Sequence, residues 1–376
     1  MLDEHRGYLA DGVRLAAFER AIAATVKPGD VVIDLGSGTG ILGLLAIRAG
    51  ASRVYAVEET ALGGLAREIA AANNVAERIR VVRGWSTWVT LPELADVVVS
   101  DQIGHFGIEA GAFEYFADAR RRLLKPGGQT IPRVISWRSA PVECVPLREA
   151  IDFWRHRRAG FDLSPVVPSA EGSGYPIVLE RDALLAPAAT IGSAPLDALP
   201  ESGLVTGEAD FHIARTGTLD GIGGWFVAEL APGITFTNGP DTDQRINRRQ
   251  VVLPVTSLPV GPGDRVQLRI RFRPLTLTVD WQVVVSAADG SERARVRRST
   301  FQGMLIAPED LASKSPVARP KLSTRGEARR TALDLCDGSR TVREIEHALR
   351  DAYPEMLPTD ADASAFLAEV LGSDAS

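Results

Sequence analysis

Cysteine is scarce. The 376 residues hold two, Cys144 and Cys336, too few to staple a secreted scaffold or to supply a four-ligand zinc site. Positive charge is not in excess either: 48 acidic against 42 basic side chains give −6 with neutral histidine. That argues against a chain whose main business is neutralising phosphates, and no nucleic acid is expected as a partner. No apolar run approaches the roughly 20 residues that span a bilayer. The opening MLDEHRGYLADGVRL is too polar and acidic for a signal peptide, so a reducing cytoplasm is the expected location. Repeats and low-complexity tracts are missing too. What is present is an ordinary globular mixture, 45% apolar and 24% charged, long enough for two or three domains at roughly 150 residues each.

Residues 1–29 carry apolar side chains at helical spacing: Leu9, Val13, Ala16, Ala17, Ala21 and Ile22. From Asp30 onward short β-branched runs (31–35, 53–58, 78–84, 96–101) alternate with helical stretches at 40–49, 60–73 and 111–124. Buried runs with helical crossovers predict a parallel sheet in a doubly wound α/β fold. LKPGGQTIP (124–132) is expected to end the pattern, because Pro126 and the Gly127–Gly128 pair stop a helix. Beyond Ser136, strand-like runs at 224–230, 249–255, 265–272 and 275–287 predict an antiparallel sandwich or barrel, with Cys144 in one of its strands. LREAIDFWRHRRAGF, opening 148–177, reads as a projecting amphipathic helix with Phe153 and Trp154. Residues 313–330 read as a basic linker. Short helices follow, with Cys336 on an apolar stripe and Thr341 and Glu344 forming a capping box. The expected domains are 1–136, 137–308 and 309–376.

The motif that carries chemistry is VVIDLGSGTGILGLLAIRAGASRVYAVE. A strand passes Asp34 into Gly36-Ser37-Gly38-Thr39-Gly40, a helix opens, and the next strand ends on Glu58. Glycines here allow left-handed backbone and close approach of a ligand at the carboxyl end of a sheet. An acidic residue about 20 positions later suits a ribose diol. The third glycine falls one residue earlier than in a pyrophosphate loop. Asp34 is awkward for a pyrophosphate but favourable for a sulfonium and an amino group, so S-adenosyl-L-methionine is favoured over a dinucleotide. A nicotinamide reductase finds support in this loop alone.

The likeness runs beyond the loop. His5, Asp11, Arg14 and Phe18, the loop IDLGSGTGIL, the strand VYAVE, DVVVSDQIG, LKPGG, the arm REAIDFWRHRRAGFDLS and the runs GWFVAEL and VGPGDRV together resemble the protein arginine methyltransferases over about residues 1–305. The resemblance implies a Rossmann-like domain, a β-barrel and a homodimer formed through the 148–177 arm. It places Arg14 on the cofactor carboxylate, Gly36–Gly40 on the methionine portion, Glu58 on the ribose, and Ser86 and Thr87 against adenine, with Asp34 and Ser100 alongside. No metal is expected.

That family clamps a guanidinium between two glutamates. Paired carboxylates neutralise and orient the cation and accept a proton. Counting back from Lys125 puts those positions at Asp101 and Ala110, with Glu109 next door. Gln102 and His105 stand where the family has Trp and Tyr. Ile246-Asn247-Arg248 stands where it has Thr-His-Trp. Asp101, His105 and Glu109 are the candidate catalytic residues, with His105 as the candidate proton acceptor.

Residues 319–371, chiefly LCDGSRTVREI and ADASAFLAEVL, resemble PqqD-like modules, small winged-helix-like domains that recognise the leader of ribosomally made peptides. The expected function is methylation of a peptide or protein nitrogen, in tailoring of a precursor peptide held by this last domain. A genuine arginine methyltransferase using Asp101 and Glu109 is the alternative. A non-catalytic scaffold that binds S-adenosylmethionine is the second alternative.

Overall fold

The structure is a computed structural model describing residues 2–196, 204–273 and 276–374. Its chain divides into two compact units, 1–305 and 306–376.

The first unit begins with helices α1 (Leu2–Ala10) and α2 (Gly12–Thr25). The apolar period runs through both, but the backbone breaks at Asp11, whose carboxylate caps α2 by accepting the Arg14 N–H at 3.0 Å. Strands β1 (Val31–Leu35), β2 (Arg53–Glu58), β3 (Ile79–Arg83), β4 (Ala95–Val99) and β5 (Leu124–Ile131) form one parallel sheet in the order β3-β2-β1-β4-β5. Helices α3 (Ile41–Ala49), α4 (Leu62–Ala72) and α5 (Ala112–Arg122) cross over between them. This is the doubly wound α/β fold.

LKPGGQTI corrects the sequence reading. It is the fifth strand, and the predicted helix 111–124 stops at Arg122 to make room for it. β5 lies at the sheet edge and its register slips opposite Ala95–Val97. An edge and a bulge are the places where a strand tolerates proline.

The chain then enters antiparallel sheets. One has the order β7-β12-β10-β6-β8, from β6 (Val134–Val142), β7 (Tyr175–Ile177), β8 (Ala189–Pro195), β10 (Gly217–Ala231) and β12 (Gln250–Val260), with β11 (Ile234–Thr237) on β10. The other has the order β15-β14-β13-β9, from β9 (Val205–His212), β13 (Arg265–Arg273), β14 (Thr278–Ser286) and β15 (Glu292–Ser299). Strand β13 alternates without exception: Val266, Leu268, Ile270 and Phe272 face inward and its arginines face water. Residue 275, the start of one expected run, lies outside the described residues.

Aromatic stacking joins the two parts of the body. Phe113 of α5 stacks at 6.0 Å on Trp137 of β6, which stacks at 5.3 Å on Phe272 of β13. Cys144 lies outside any strand; it is the buried residue preceding helix α6 (Val145–Arg155). The arm helix thus starts three residues early, anchored by Leu147 and Ile151, and ends at Arg155.

The second unit holds the helices Thr324–Leu335, Val342–Ala352 and Asp360–Asp374 around Ala328, Ala332, Ile345, Leu349, Phe366, Leu367 and Val370. The capping box of Thr341 and Glu344 is present. The linker is shorter than the sequence suggests, since 324–330 is helix and Pro308–Ser313 forms a further short one. Cys336 follows its helix rather than lying within it. Among the described residues this unit holds no strand, so the open sheet edge that a leader peptide would extend is missing there.

Candidate functional site

A cavity of about 550 Å3 opens at the carboxyl ends of β1, β2 and β4, bounded by α1 and by the barrel residue Arg248. The glycine loop forms its floor. Gly36, Gly38 and Gly40 take φ of 65°, 54° and 80°, the left-handed region in which a side chain is strained. Side chains crowd the loop as well: a Cβ on Gly36 would lie 2.0 Å from Gln102 Nε2, and one on Gly38 would lie 2.4 Å from His5 Cε1, so either neighbour would have to shift. His5 therefore sits directly on the loop, and α1 covers it.

Two carboxylates at the strand ends are held differently. Glu58 accepts from the Gly38 N–H at 2.8 Å, the Thr60 N–H at 2.9 Å and the Thr60 hydroxyl at 2.7 Å. Asp34 is 1% exposed and accepts from the Gly43 N–H at 2.9 Å through Oδ2. Its Oδ1 has no partner. Burial pushes the Asp34 carboxyl up to about 7, with the nearby Glu58 adding to the rise. Ser37 Oγ and Asp101 Oδ1, on the same cavity wall, are also buried without partners. Unpaired buried oxygens are costly. They belong to three residues that line one cavity.

Asp101 stands at the centre of an ion cluster. Arg14 Nε donates to its Oδ2 at 2.5 Å, and the Arg14 Nη2 pairs with the same oxygen. Arg248 Nη2 reaches that oxygen at 3.3 Å. All three side chains are nearly covered. Tyr8 lies beside both cations, its ring centre 5.2 Å from the Arg14 guanidinium and 5.9 Å from that of Arg248. Residues assigned from sequence to separate tasks, Arg14 to the cofactor and Asp101 to catalysis, are thus paired with each other.

The other candidates divide. His105 lines the cavity, and its Nδ1 lies 3.3 Å from the Arg249 carbonyl. A carbonyl only accepts, so this contact is a hydrogen bond only when Nδ1 carries a proton. Glu109 does not line the cavity: its carboxylate accepts from the Phe106 N–H at 2.9 Å and the Ile108 N–H at 3.3 Å. Ala110, with φ 59°, faces the cavity in its place. Phe106 fixes this loop to the barrel, meeting Phe272 edge-on at 5.2 Å. Ser100 braces the strand ends, donating to the Leu35 carbonyl at 2.8 Å. Thr39 lines the main cavity, and Ser86 lines a small adjoining hollow with Gly84, Trp85 and Tyr115. Thr87 is half-buried and lines neither.

Sequence reasoning missed Arg248, Tyr8 and Asn238. Asn238 is buried, and its amide donates to the carbonyls of His105 at 2.7 Å and Arg249 at 2.8 Å, tying the substrate-side loop to the barrel. The signal for Arg248 was its place in a triplet that departs from the family pattern. Among the described residues no group of three or more His, Cys, Asp or Glu could hold a metal ion. No helix among them is long and apolar enough to cross a membrane.

A family model described as ribosomal protein L11 methyltransferase (PrmA) matches residues 15–135. Among curated proteins, protein arginine N-methyltransferase PRMT10 of Oryza sativa subsp. japonica is 40% identical over 136 residues, 36% of this chain and 36% of that protein. A probable protein arginine N-methyltransferase 6 of Arabidopsis thaliana is 28% identical over 286 residues, 72% of this chain and 62% of the other. The chain thus matches 36% of the length of the former relative and 62% of the latter. Among solved structures, the Trypanosoma brucei PRMT1 enzyme–prozyme heterotetrameric complex with AdoHcy aligns with TM-score 0.70 at 21% identity, over 78% of this chain and 97% of that one. Arabidopsis thaliana protein arginine methyltransferase 10 aligns with TM-score 0.68 at 22% identity, over 80% and 97%. The domain at 15–135 is of the methyltransferase type, and the fold of the body is that of the arginine methyltransferases.

Proposed function

We propose that this protein is an S-adenosyl-L-methionine-dependent methyltransferase acting on a nitrogen of a protein or peptide. The observation that carries the reading is a cavity lined by Asp34, Ser37 and Asp101, each with a buried oxygen that has no partner, over a glycine loop whose left-handed backbone strains any side chain. These residues fit the cofactor. Gly36 to Gly40 and Asp34 would hold the amino-acid portion with Arg14 on its carboxylate, Glu58 would take the ribose, and Ser86 the adenine side. The cofactor supplies an electrophilic methyl, whose bond to sulfur breaks toward sulfur as the acceptor nitrogen bonds to the carbon. The chain's own part is to align the nitrogen, exclude water and accept the proton that leaves it. His105, on the cavity wall, is the candidate to accept that proton.

The names of the relatives favour a guanidinium acceptor facing Asp101 over tailoring of a leader-carrying peptide, and no described strand in the second unit supports leader binding. A homodimer through the 148–177 arm accords with the exposed Phe153 on α6. Titration calorimetry with S-adenosylhomocysteine, followed by methyl transfer from labelled S-adenosylmethionine to arginine-, histidine- and amine-containing peptides, tests the reading. Absence of binding overturns it. Binding without transfer to any peptide leaves the scaffold.

A further inference from the structure

Arg248 belongs to the loop that leads into β12, and no step assigned to the site so far uses it. Its backbone is fixed. Asn247 donates its N–H to Asp11 Oδ2 at 2.6 Å, and the Arg248 carbonyl accepts from Gln250 Nε2 at 3.1 Å. From that anchor the side chain, 11% exposed, reaches across to the parallel-sheet domain. It donates to the Gly104 carbonyl at 3.3 Å and to Asp101 Oδ2 at 3.3 Å, beside the Tyr8 ring. We infer that Arg248 occupies, from within the chain, the place where a cationic acceptor would meet Asp101, and that it thereby sets the site's selectivity against isolated guanidinium groups.

The inference rests on the methyltransferase reading and follows from charge and hydrogen-bond capacity. Asp101 carries one negative charge and already faces two guanidinium groups on Oδ2. With the cofactor's carboxylate drawing on Arg14, Arg248 still neutralises Asp101. An entering guanidinium finds no open acceptor, because Oδ1 is buried and Oδ2 already carries both cations, where its planar fork is matched by two free oxygens. To use both oxygens it must displace Arg248, and it must do so in a nearly covered site where like charges are poorly screened. Its apparent affinity is therefore reduced by the fraction of molecules in which Arg248 is away. Free arginine lacks the contacts to offset that displacement.

The test uses the full chain saturated with S-adenosylhomocysteine, titrated calorimetrically with Nα-acetyl-arginine amide. Arg248→Gln is expected to bind this probe about tenfold tighter than the unaltered protein, the change given by a competent state about one-tenth populated. Arg248→Lys, which keeps the charge, is expected to stay within about twofold of the unaltered protein. Equal or weaker binding by Arg248→Gln, or no binding by either protein, overturns the inference. Should Arg248→Gln lose S-adenosylhomocysteine binding, Arg248→Met repeats the comparison; loss in both makes Arg248 a structural tie and overturns it likewise. Failure of the unaltered protein to bind S-adenosylhomocysteine brings down the methyltransferase reading itself, so the two failures are distinguishable.

Discussion

Single carboxylates in this cavity owe their character to what lies within a few ångströms. Asp34 has its carboxyl raised from 3.8 to about 7 by burial. A carboxyl raised on folding binds more protons in the folded chain than in the unfolded one, so stability falls as pH rises between those two values. The ligand-free protein is therefore expected to lose thermal stability from pH 5 to pH 7 relative to Asp34→Asn. The gap should open by about 4 °C, read from melting curves of both proteins across that range. Asp101 presents the opposite case, a charge held by two cations. Asp101→Ala leaves Arg14 and Arg248 covered and unpaired, and is expected to cost about 3 kcal/mol in urea denaturation. Adding Arg248→Gln should restore part of the loss, and strict additivity of the two changes would argue against their coupling. The glycine loop, Glu58 and Asp101 were legible in the sequence because local spacing dictates where each must stand. Arg248 was not, because its partner is 147 residues away and only the closed fold brings the two together.

Elements were legible where one period dominates. Strands β1, β2 and β4 of the parallel sheet are mostly apolar runs and β13 alternates strictly, so periodicity alone located them. β5 escaped because Pro126 and two glycines conceal a strand that survives through its edge position. Gly128 is the constraint there: a Cβ would lie 3.1 Å from the Asp96 carbonyl and 3.0 Å from that of Lys125. Neither is a flexible group, so Gly128→Ala is expected to destabilise by about 2 kcal/mol, measured by chemical denaturation. The loop 101–111 teaches a related lesson. One residue of slip separates Glu109 from Ala110, and the backbone N–H groups of Phe106 and Ile108 claim the carboxylate that chemistry seemed to want. Glu109→Gln keeps an accepting oxygen for them. Probe and S-adenosylhomocysteine affinities are expected to change less than about twofold, in contrast with any change at Asp101.

At the scale of the whole chain, the two units are built on separate cores. A chain ending at Leu305 contains every residue of the cavity, and is expected to bind S-adenosylhomocysteine as the full protein does, within about twofold by calorimetry. A larger loss would assign the second unit a part in the site. Helix α1 carries a consequence of another kind. His5 rests on Gly38, Tyr8 flanks both guanidinium groups, and Asp11 at the helix's end holds the loop before β12 through Asn247. One helix thus covers part of the glycine floor and supplies a wall of the guanidinium platform. On the proposed function, the expected order of entry is methyl donor before acceptor, with release in reverse. Initial-rate patterns should show it: the spent donor competing with the fresh one, yet lowering the maximal rate when the acceptor is varied.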